Sequence, residues 1–364
     1  MIFYRMNPLL KSGGGDDTSI YGVEWDGSSI TGWTRTDDST NFPAPNPYYS
    51  GMSSSPSSPF DDISPWKDMV VSERTGGTMV AIPKFYYNIT RPSGSSAGLK
   101  IQISMHQHEG FLCSPAHMNR GDGAGERDVI YVGRYHSNST NYKSATGASP
   151  YVNATRSSMR TTLHNLDSKL WQFDFATRFT LWLLYLVEFA DWNSQDKIGY
   201  GCSTSGSVMT MGYTDNMGYH TGTTASSRTS YGGTQYRNIE GLWDNVYDWL
   251  DGAYYNSSGL NIILNPSNFS DSSGGIAVGV PSNGYPSAFD IKDVSNTYKM
   301  ILPTAANGSE STYSCDYWYY SASDPCLCGG GNYGQNLDRG LFFVYRAGTS
   351  SANAGRGCRL LELP

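Results

Sequence analysis

The sequence predicts an α+β protein: a β-rich N-terminal region over residues 1–95, then a larger mixed domain over residues 96–364. Three observations predict it. Charged residues are only 16% of the 364-residue chain, while Gly stands at 41 and Tyr at 27. That composition favours short strands, many turns, and a surface made polar by hydroxyls and amides rather than by charge. Apolar runs of strand length recur at 79–83, 85–87 and Val129–Gly133. Helical periodicity is clear only in the middle of the chain, between residues 155 and 190.

Taken in order, residues 1–15 read as a tail or lead-in strand ending in Ser12-Gly13-Gly14-Gly15. A Gly/Ser/Pro-punctuated stretch follows, with Trp25, Trp33 and Trp66 as anchors, and residues 50–59 form a surface loop of small residues and proline. Between 155 and 166, Met159, Leu163 and Leu166 lie on one helical stripe. Asp174 is placed to cap a second helix running to about Ala190. There Phe175, Phe179, Leu183, Val187 and Ala190 line one face, and Trp182, Leu186 and Phe189 widen it. A helix apolar nearly all round belongs against a sheet. After Gly199 the chain returns to strands and loops, with loops expected over 200–235 and 281–286. From Thr312 aromatic and small residues alternate, as in irregular strands and exposed loops.

Several function classes recede on composition. A net charge of −7 with no strongly basic stretch argues against nucleic acid as a partner. The most apolar run, residues 181–187, is far short of the roughly 20 residues that span a bilayer. The first residues do not read as a secretory signal, so a soluble chain made in a cytoplasm is expected. Cysteines stand at 113, 202, 315, 326, 328 and 358, none in a Cys-x-x-Cys spacing. His106 and His108, with His117 and Glu109 near them, suggest a zinc site but fit a polar strand and loop better. Arg120-Gly121-Asp122 is best explained by its Gly-rich loop. Asn-x-Ser/Thr triplets at Asn88, Asn138, Asn153, Asn256, Asn268 and Asn307 follow from the Ser/Thr-rich composition. No metal, cofactor or catalytic residue is assigned.

Four segments in fixed order carry a resemblance. Gly241-Leu242-Trp243-Asp244-Asn245-Val246-Tyr247-Asp248-Trp249 resembles the Gly-Asn-Val-Trp-Glu-Trp signature of the formylglycine-generating-enzyme-like group. Gly329-Gly330-Gly331-Asn332-Tyr333 resembles its Arg-Gly-Gly-Ser-Trp/Tyr segment, and Gly357-Cys358-Arg359-Leu360-Leu361 its Gly-Phe-Arg-Leu close. Upstream, Tyr131-Val132-Gly133-Arg134-Tyr135 and the two helices match the expected order. The resemblance covers roughly residues 100–364 and implies a C-type lectin fold. Within it, Trp243, Val246 and Trp249 read as one side of a tight helical turn plugging the core, with Asp244 and Asp248 toward solvent or loop amides.

In the catalytic relatives two copper-binding thiols follow the glycine segment. The matching positions here are Gln335 and Gly340, and Cys326 and Cys328 precede the glycines, so no enzyme is expected. The chain is more similar to the variable proteins of diversity-generating retroelements and to phage tail receptor-binding proteins. Arg339-Gly340-Leu341-Phe342, the final Gly-Cys-Arg-Leu and the stretch from Tyr313 to Tyr320 occupy their slots. Residues 188–201 are similar to a segment common in phage structural proteins. Adenine-directed mutagenesis of Asn codons reaches Cys315, Cys328, Tyr333, Leu337, Asp338, Phe343, Tyr345 and Arg346. The resemblance therefore implies a non-catalytic binding surface over 313–350, open to hypervariation. Its candidate ligand-binding residues are Cys315, Tyr317, Tyr319, Asp324, Cys328, Tyr333, Gln335, Leu337, Asp338, Phe343, Tyr345 and Arg346. Tyr and Trp with Ser, Gly and Asn, plus an Arg, make the chemistry of a paratope. The implied setting is a virion tail, with a host protein or glycan receptor, other tail proteins as partners, and a homotrimer. The alternative setting is a bacterial surface or secreted binding protein of the same fold, and a formylglycine-generating-type oxidase ranks third. The calcium-binding Glu-Pro-Asn and Gln-Pro-Asp triplets of sugar-binding lectins are missing from the sequence.

Overall fold

The structure is a computed structural model that describes residues 18–201, 206–334 and 338–364. The expected lead-in over 1–15, Cys202, Gln335 and Leu337 lie outside the described residues.

Two helices form where periodicity places them. α1 (Arg156–His164) starts at Thr155, whose hydroxyl accepts from the Ser158 amide, and buries Met159 and Leu163. α2 (Phe175–Phe189) starts at Asp174, whose carboxylate accepts from the Thr177 amide; all fifteen of its residues are buried. Asp174 also pairs with the buried Arg120. The last turn of α2 leaves carbonyls to satisfy, and Arg35 donates to those of Val187 and Glu188 at 2.8 and 2.5 Å. A short α3 (Ser194–Lys197) follows.

Apart from two 3-10 turns at Trp66–Asp68 and Pro266–Asn268, the other described residues are strand, turn and loop, and this corrects the expected α+β class to a β-rich one. Among the described residues twenty-one strands surround these three helices, and the strand pairings are antiparallel apart from one. The physical reason is that α1 and α2 are isolated helices, each buried against sheet, and build no layer of their own. The frequent glycines and prolines break the remainder into strands of two to ten residues. The helical turn expected at 243–249 is likewise corrected. Trp243 and Val246 lie in a buried turn, and from Tyr247 the chain is a ten-residue strand, Tyr247–Asn256. Asp244 and Asp248 are buried rather than facing solvent; Asp244 accepts from the Thr234 amide at 2.7 Å, on the strand Thr234–Tyr236 rather than a loop.

Three sheets position the candidate site. The first runs Trp33–Asp37, Tyr21–Trp25, Leu99–Ser104, Tyr86–Thr90, Leu112–Cys113. Alternation sends Val23, Trp25, Leu99, Ile101 and Ile103 inward onto α2. The second runs Val71–Arg74, Gly77–Pro83, Val129–Gly133, Leu360–Glu362, Leu170–Gln172. The third runs Ile276–Gly279, Gly259–Ile262, Tyr247–Asn256, Cys326–Gly329, Val344–Ala347, with Arg356–Gly357 parallel to Tyr247–Asn256. Residue 95 falls between paired strands of the first sheet, and one hydrophobic core joins Trp25 and Trp66 to Phe179, Trp182 and Leu341.

Three of the four segments that carry the resemblance meet at Arg359, and the fourth, 329–333, adjoins them through Gly330. Its fully buried guanidinium donates to the carbonyls of Gly133, Arg134 and Glu240 at 2.9, 3.1 and 2.8 Å. It also approaches Asp248 at 3.4 Å, and His136 stands 3.3 Å from the same carboxylate. Burial raises the Asp248 pKa, but Arg359 and His136 outweigh it and hold the carboxyl below its ordinary range. Gly330 completes the junction at φ +70°, where a Cβ would lie 2.1 Å from the Leu242 carbonyl oxygen, so a side chain has no room.

Candidate functional site

The C-terminal segment builds a face of aromatic rings by strand alternation. Tyr317 to Tyr319 runs beside the last strand of the third sheet: Val344 donates to the Tyr317 carbonyl at 3.3 Å, and Tyr319 donates to that of Val344 at 2.8 Å. Successive side chains point to opposite sides. Trp318 therefore enters the core, near Trp182 and Phe175, and its indole N–H donates to the Tyr255 hydroxyl at 2.9 Å. Tyr317 and Tyr319 turn the other way. Val344 likewise faces the core, while Phe343 and Tyr345 join the tyrosines.

On that side the rings touch in sequence. Tyr285 meets Tyr317 at 4.9 Å, Tyr317 meets Tyr319 at 4.1 Å, and Tyr319 meets Tyr345 edge-on at 5.0 Å. Tyr345 lies parallel to Tyr247 at 5.7 Å, with Phe343 6.0 Å from Tyr247. Such pairs contribute roughly 0.5–1.5 kcal/mol each beyond area burial, so the array is stiff. Two guanidiniums flank it. Arg339 lies 5.0 Å over Phe343 and donates to the Tyr247 hydroxyl, with Asp338 3.2 Å away. Arg356 lies 5.5 Å over Trp249 and 5.7 Å over Tyr345. Burial alone would lower the Arg339 pKa, but Tyr247 and Asp338 outweigh it and raise it. Burial pushes the Tyr285 hydroxyl up to about 12, with Asp338 and Glu310 adding to the shift, so this hydroxyl stays a neutral donor.

The turn that carries Arg339 and Phe343 is pinned from inside. The Asp316 carboxylate accepts the amides of Gly340 and Phe342 at 2.7 and 2.8 Å. Arg178 of α2 donates to the Leu341 carbonyl at 3.1 and 2.6 Å and to that of Leu242 at 2.8 Å; Trp182 adds a bond to Leu341 at 2.8 Å. Burial lowers Arg178 to about 10 and raises Asp316 to about 7, the latter against the two amide bonds.

The structure divides the residues expected to bind. Tyr317, Tyr319 and Tyr345 come together, half-buried, with Asp338 beside Arg339 at the margin. Phe343 joins the array but is fully buried, as its floor. Cys315 and Cys328 are buried as well, one in each of two core clusters, and this corrects their expected place on the surface. Cys328 points inward from the strand Cys326–Gly329, and burial pushes its thiol up to about 12. Asp324 and Arg346 pair with each other, and Arg346 follows Tyr345 and so faces away from the rings. Tyr333 sits half-exposed in the glycine turn, where its amide donates to the Asn245 carbonyl at 2.9 Å. Tyr247, Tyr285, Arg339 and Arg356 were missed. They come from three other parts of the chain or sit beside a motif glycine, and only cross-strand register could have found them.

Compared with protein-family models and with curated proteins, the chain matches none. The remaining sequence signals resolve into structure. Burial of the Arg120 side chain against Asp174 withdraws Arg120-Gly121-Asp122 from recognition. His117 is fully buried, bonded to Ser114 at 2.7 Å and the Ile82 carbonyl at 2.8 Å, and burial lowers it to about 3. His106 and His108 lie apart from it in an exposed loop. Among the described residues no group of three His, Cys, Asp or Glu is placed to hold a metal ion.

Proposed function

We propose that this protein is a non-catalytic receptor-binding protein of a phage or prophage tail, gripping a host-surface protein or glycan through the ring face. The observation that carries the reading is the convergence of Tyr317, Tyr319 and Tyr345 with Tyr285 into one half-exposed array whose floor, Phe343 and Tyr247, is buried. Rigid amphipathic rings offer contact area at small entropy loss, and flanking arginines supply planar donors. The junction of the resemblance segments at Arg359 supports kinship with the variable proteins of diversity-generating retroelements. In those proteins surface positions change while buried ones do not. Here the split falls between neighbours: Tyr317, Tyr319 and Tyr345 are free to vary, Trp318 and Val344 are core. Assembly with other tail proteins, as a homotrimer, belongs to the same reading.

Adsorption to cells tests it. Labelled protein is offered to a panel of bacterial strains, and the Tyr319→Ala/Tyr345→Ala double variant is compared on any strain that retains the parent. Adsorption falls by at least about tenfold while the double variant, somewhat less stable, still unfolds cooperatively well above the assay temperature; retention of full adsorption by the double variant refutes the ring face. Sequencing the locus is the second arm. The reading expects a reverse-transcriptase gene nearby, with a near-copy of the 3′ coding segment differing at adenines.

A further inference from the structure

We infer that the ligand of the ring face is an anionic saccharide, its carboxylate or phosphate seated on Arg356. The inference rests on the ring face being the binding face and adds the chemical class of what binds there. Charge along the array is uneven. At one end Asp338 and Glu310 act on the Tyr285 hydroxyl, while the other end, at Tyr345, carries Arg356.

Arg356 differs from its neighbours in what pairs with it. Arg339 is matched by Asp338 and Arg346 by Asp324, whereas Arg356 packs on Trp249 and Tyr345 and, among the described residues, no carboxylate pairs with it. The adjoining Cys328 thiol is neutral and offsets none of its charge. The side chain is half-buried. Its Nε is sealed without a hydrogen-bond partner; the two Nη groups are not sealed, and they meet no carboxylate or carbonyl of a described residue. In a chain of net charge −7 this guanidinium is left for an anion from outside. A second donor stands beside it. The Asn332 side-chain oxygen accepts the Gly334 amide at 3.0 Å, which turns its NH2 group the other way. That nitrogen lies against Gly355, the residue before Arg356: a Cβ there would fall 2.3 Å from it, so any side chain at 355 would displace the donor.

The size and chemistry of the face say what carries the anion. A protein partner of standard size covers about 20–30 residues a side. Here the accessible groups are the half-exposed rings of Tyr285, Tyr317, Tyr319 and Tyr345, one guanidinium and one amide. That area fits a few sugar units. Aromatic rings take the apolar C–H side of a pyranose, the phenol hydroxyls and the Asn332 amide are neutral partners for sugar hydroxyls, and Arg356 takes the charge. A neutral glycan would leave Arg356 unpaired, and a cation would be repelled from it.

Binding of the full-length protein to a printed panel of bacterial surface polysaccharides tests the assignment. The panel holds neutral polymers, polymers with uronic-acid carboxylates and polymers with phosphodiesters. Expected is binding confined to anionic members, weakening as salt rises and reduced by at least about tenfold in Arg356→Gln, with part of it kept in Arg356→Lys. The preference for anionic members is read on the parent protein, so it stands even where a substitution at 356 disturbs the packing on Trp249. Binding of the carboxylate members or of the phosphate members names the anion; either supports the inference. Equal binding of neutral polymers, full binding by Arg356→Gln, or no member bound overturns it. The two readings fail separately. Adsorption to cells that survives the tyrosine double variant removes the ring face itself. Adsorption lost in the double variant but kept in Arg356→Gln, or abolished by proteinase K treatment of the cells, overturns the anionic saccharide and leaves the ring face standing.

Discussion

Asp316 is a buried carboxylate whose two oxygens take the amides that shape the Gly340–Phe342 turn. Burial raises its pKa from 3.8 to about 7. Between those values the folded protein holds a proton that the unfolded chain has released, so its contribution to stability is whole below the unfolded value and is lost as pH rises through about 7. Asn at this position does not titrate. Measured by urea unfolding, the stability of the parent relative to Asp316→Asn is expected to fall across that interval and to level off above it. A relative gain for the parent with rising pH would contradict the assignment. Glu240 is also raised by burial to about 7, but it is common to both proteins and cancels in the difference.

At the scale of elements, the segment from Tyr317 to Tyr319 performs two tasks by period-two alternation. Trp318 fills core between Trp182 and Phe175 and is 2% exposed, while its neighbours are half-buried rings of the outer face. Trp318→Ala is therefore expected to destabilise by about 3–5 kcal/mol. Tyr319→Ala, which loses ring contacts but little burial, is expected to lie nearer about 1 kcal/mol. Chemical denaturation of the two variants checks the contrast; equal losses would mean that the strand's facing is wrong. The same logic explains Cys326 and Cys328. They lie two apart on one strand, so both side chains enter one core cluster, while Leu327 between them enters the other. Burial pushes the two thiols up to about 11 and 12, and they stay protonated.

Over the whole molecule the sheets bind the two ends of the chain to its middle. Strand Leu360–Glu362 lies inside the second sheet, between Val129–Gly133 and Leu170–Gln172. Strands Tyr21–Trp25 and Tyr86–Thr90 both pair with Leu99–Ser104. A chain begun at residue 96 loses both partners of that central strand and Gly77–Pro83 from the second sheet. It is expected to show neither a cooperative thermal transition nor native near-ultraviolet dichroism, whereas the whole chain unfolds in one step over its shared core. A folded, cooperatively melting 96–364 fragment would show instead that the N-terminal strands are dispensable.

The sequence alone determined what is local. Periodicity marked α1 and α2, Asp174 declared itself as a cap, and the run of aromatic and small residues after Thr312 marked a surface-building segment. The motif glycines and Arg359 announced a junction, though not its partners. Tertiary structure alone decided which side of each strand met water, because a shift of one residue exchanges the two faces. Cys315, Cys328 and Phe343 were legible as residues of the segment, but the burial of Cys328 followed from its strand's pairing on both sides, and that of Cys315 and Phe343 from packing into core clusters built by distant residues. Tyr247, Tyr285, Arg339 and Arg356 joined the rings for the same reason. The β-rich class, too, was settled by pairing: short strands rich in Gly and Tyr gain their hydrogen bonds only from distant partners, and no local pattern names those partners.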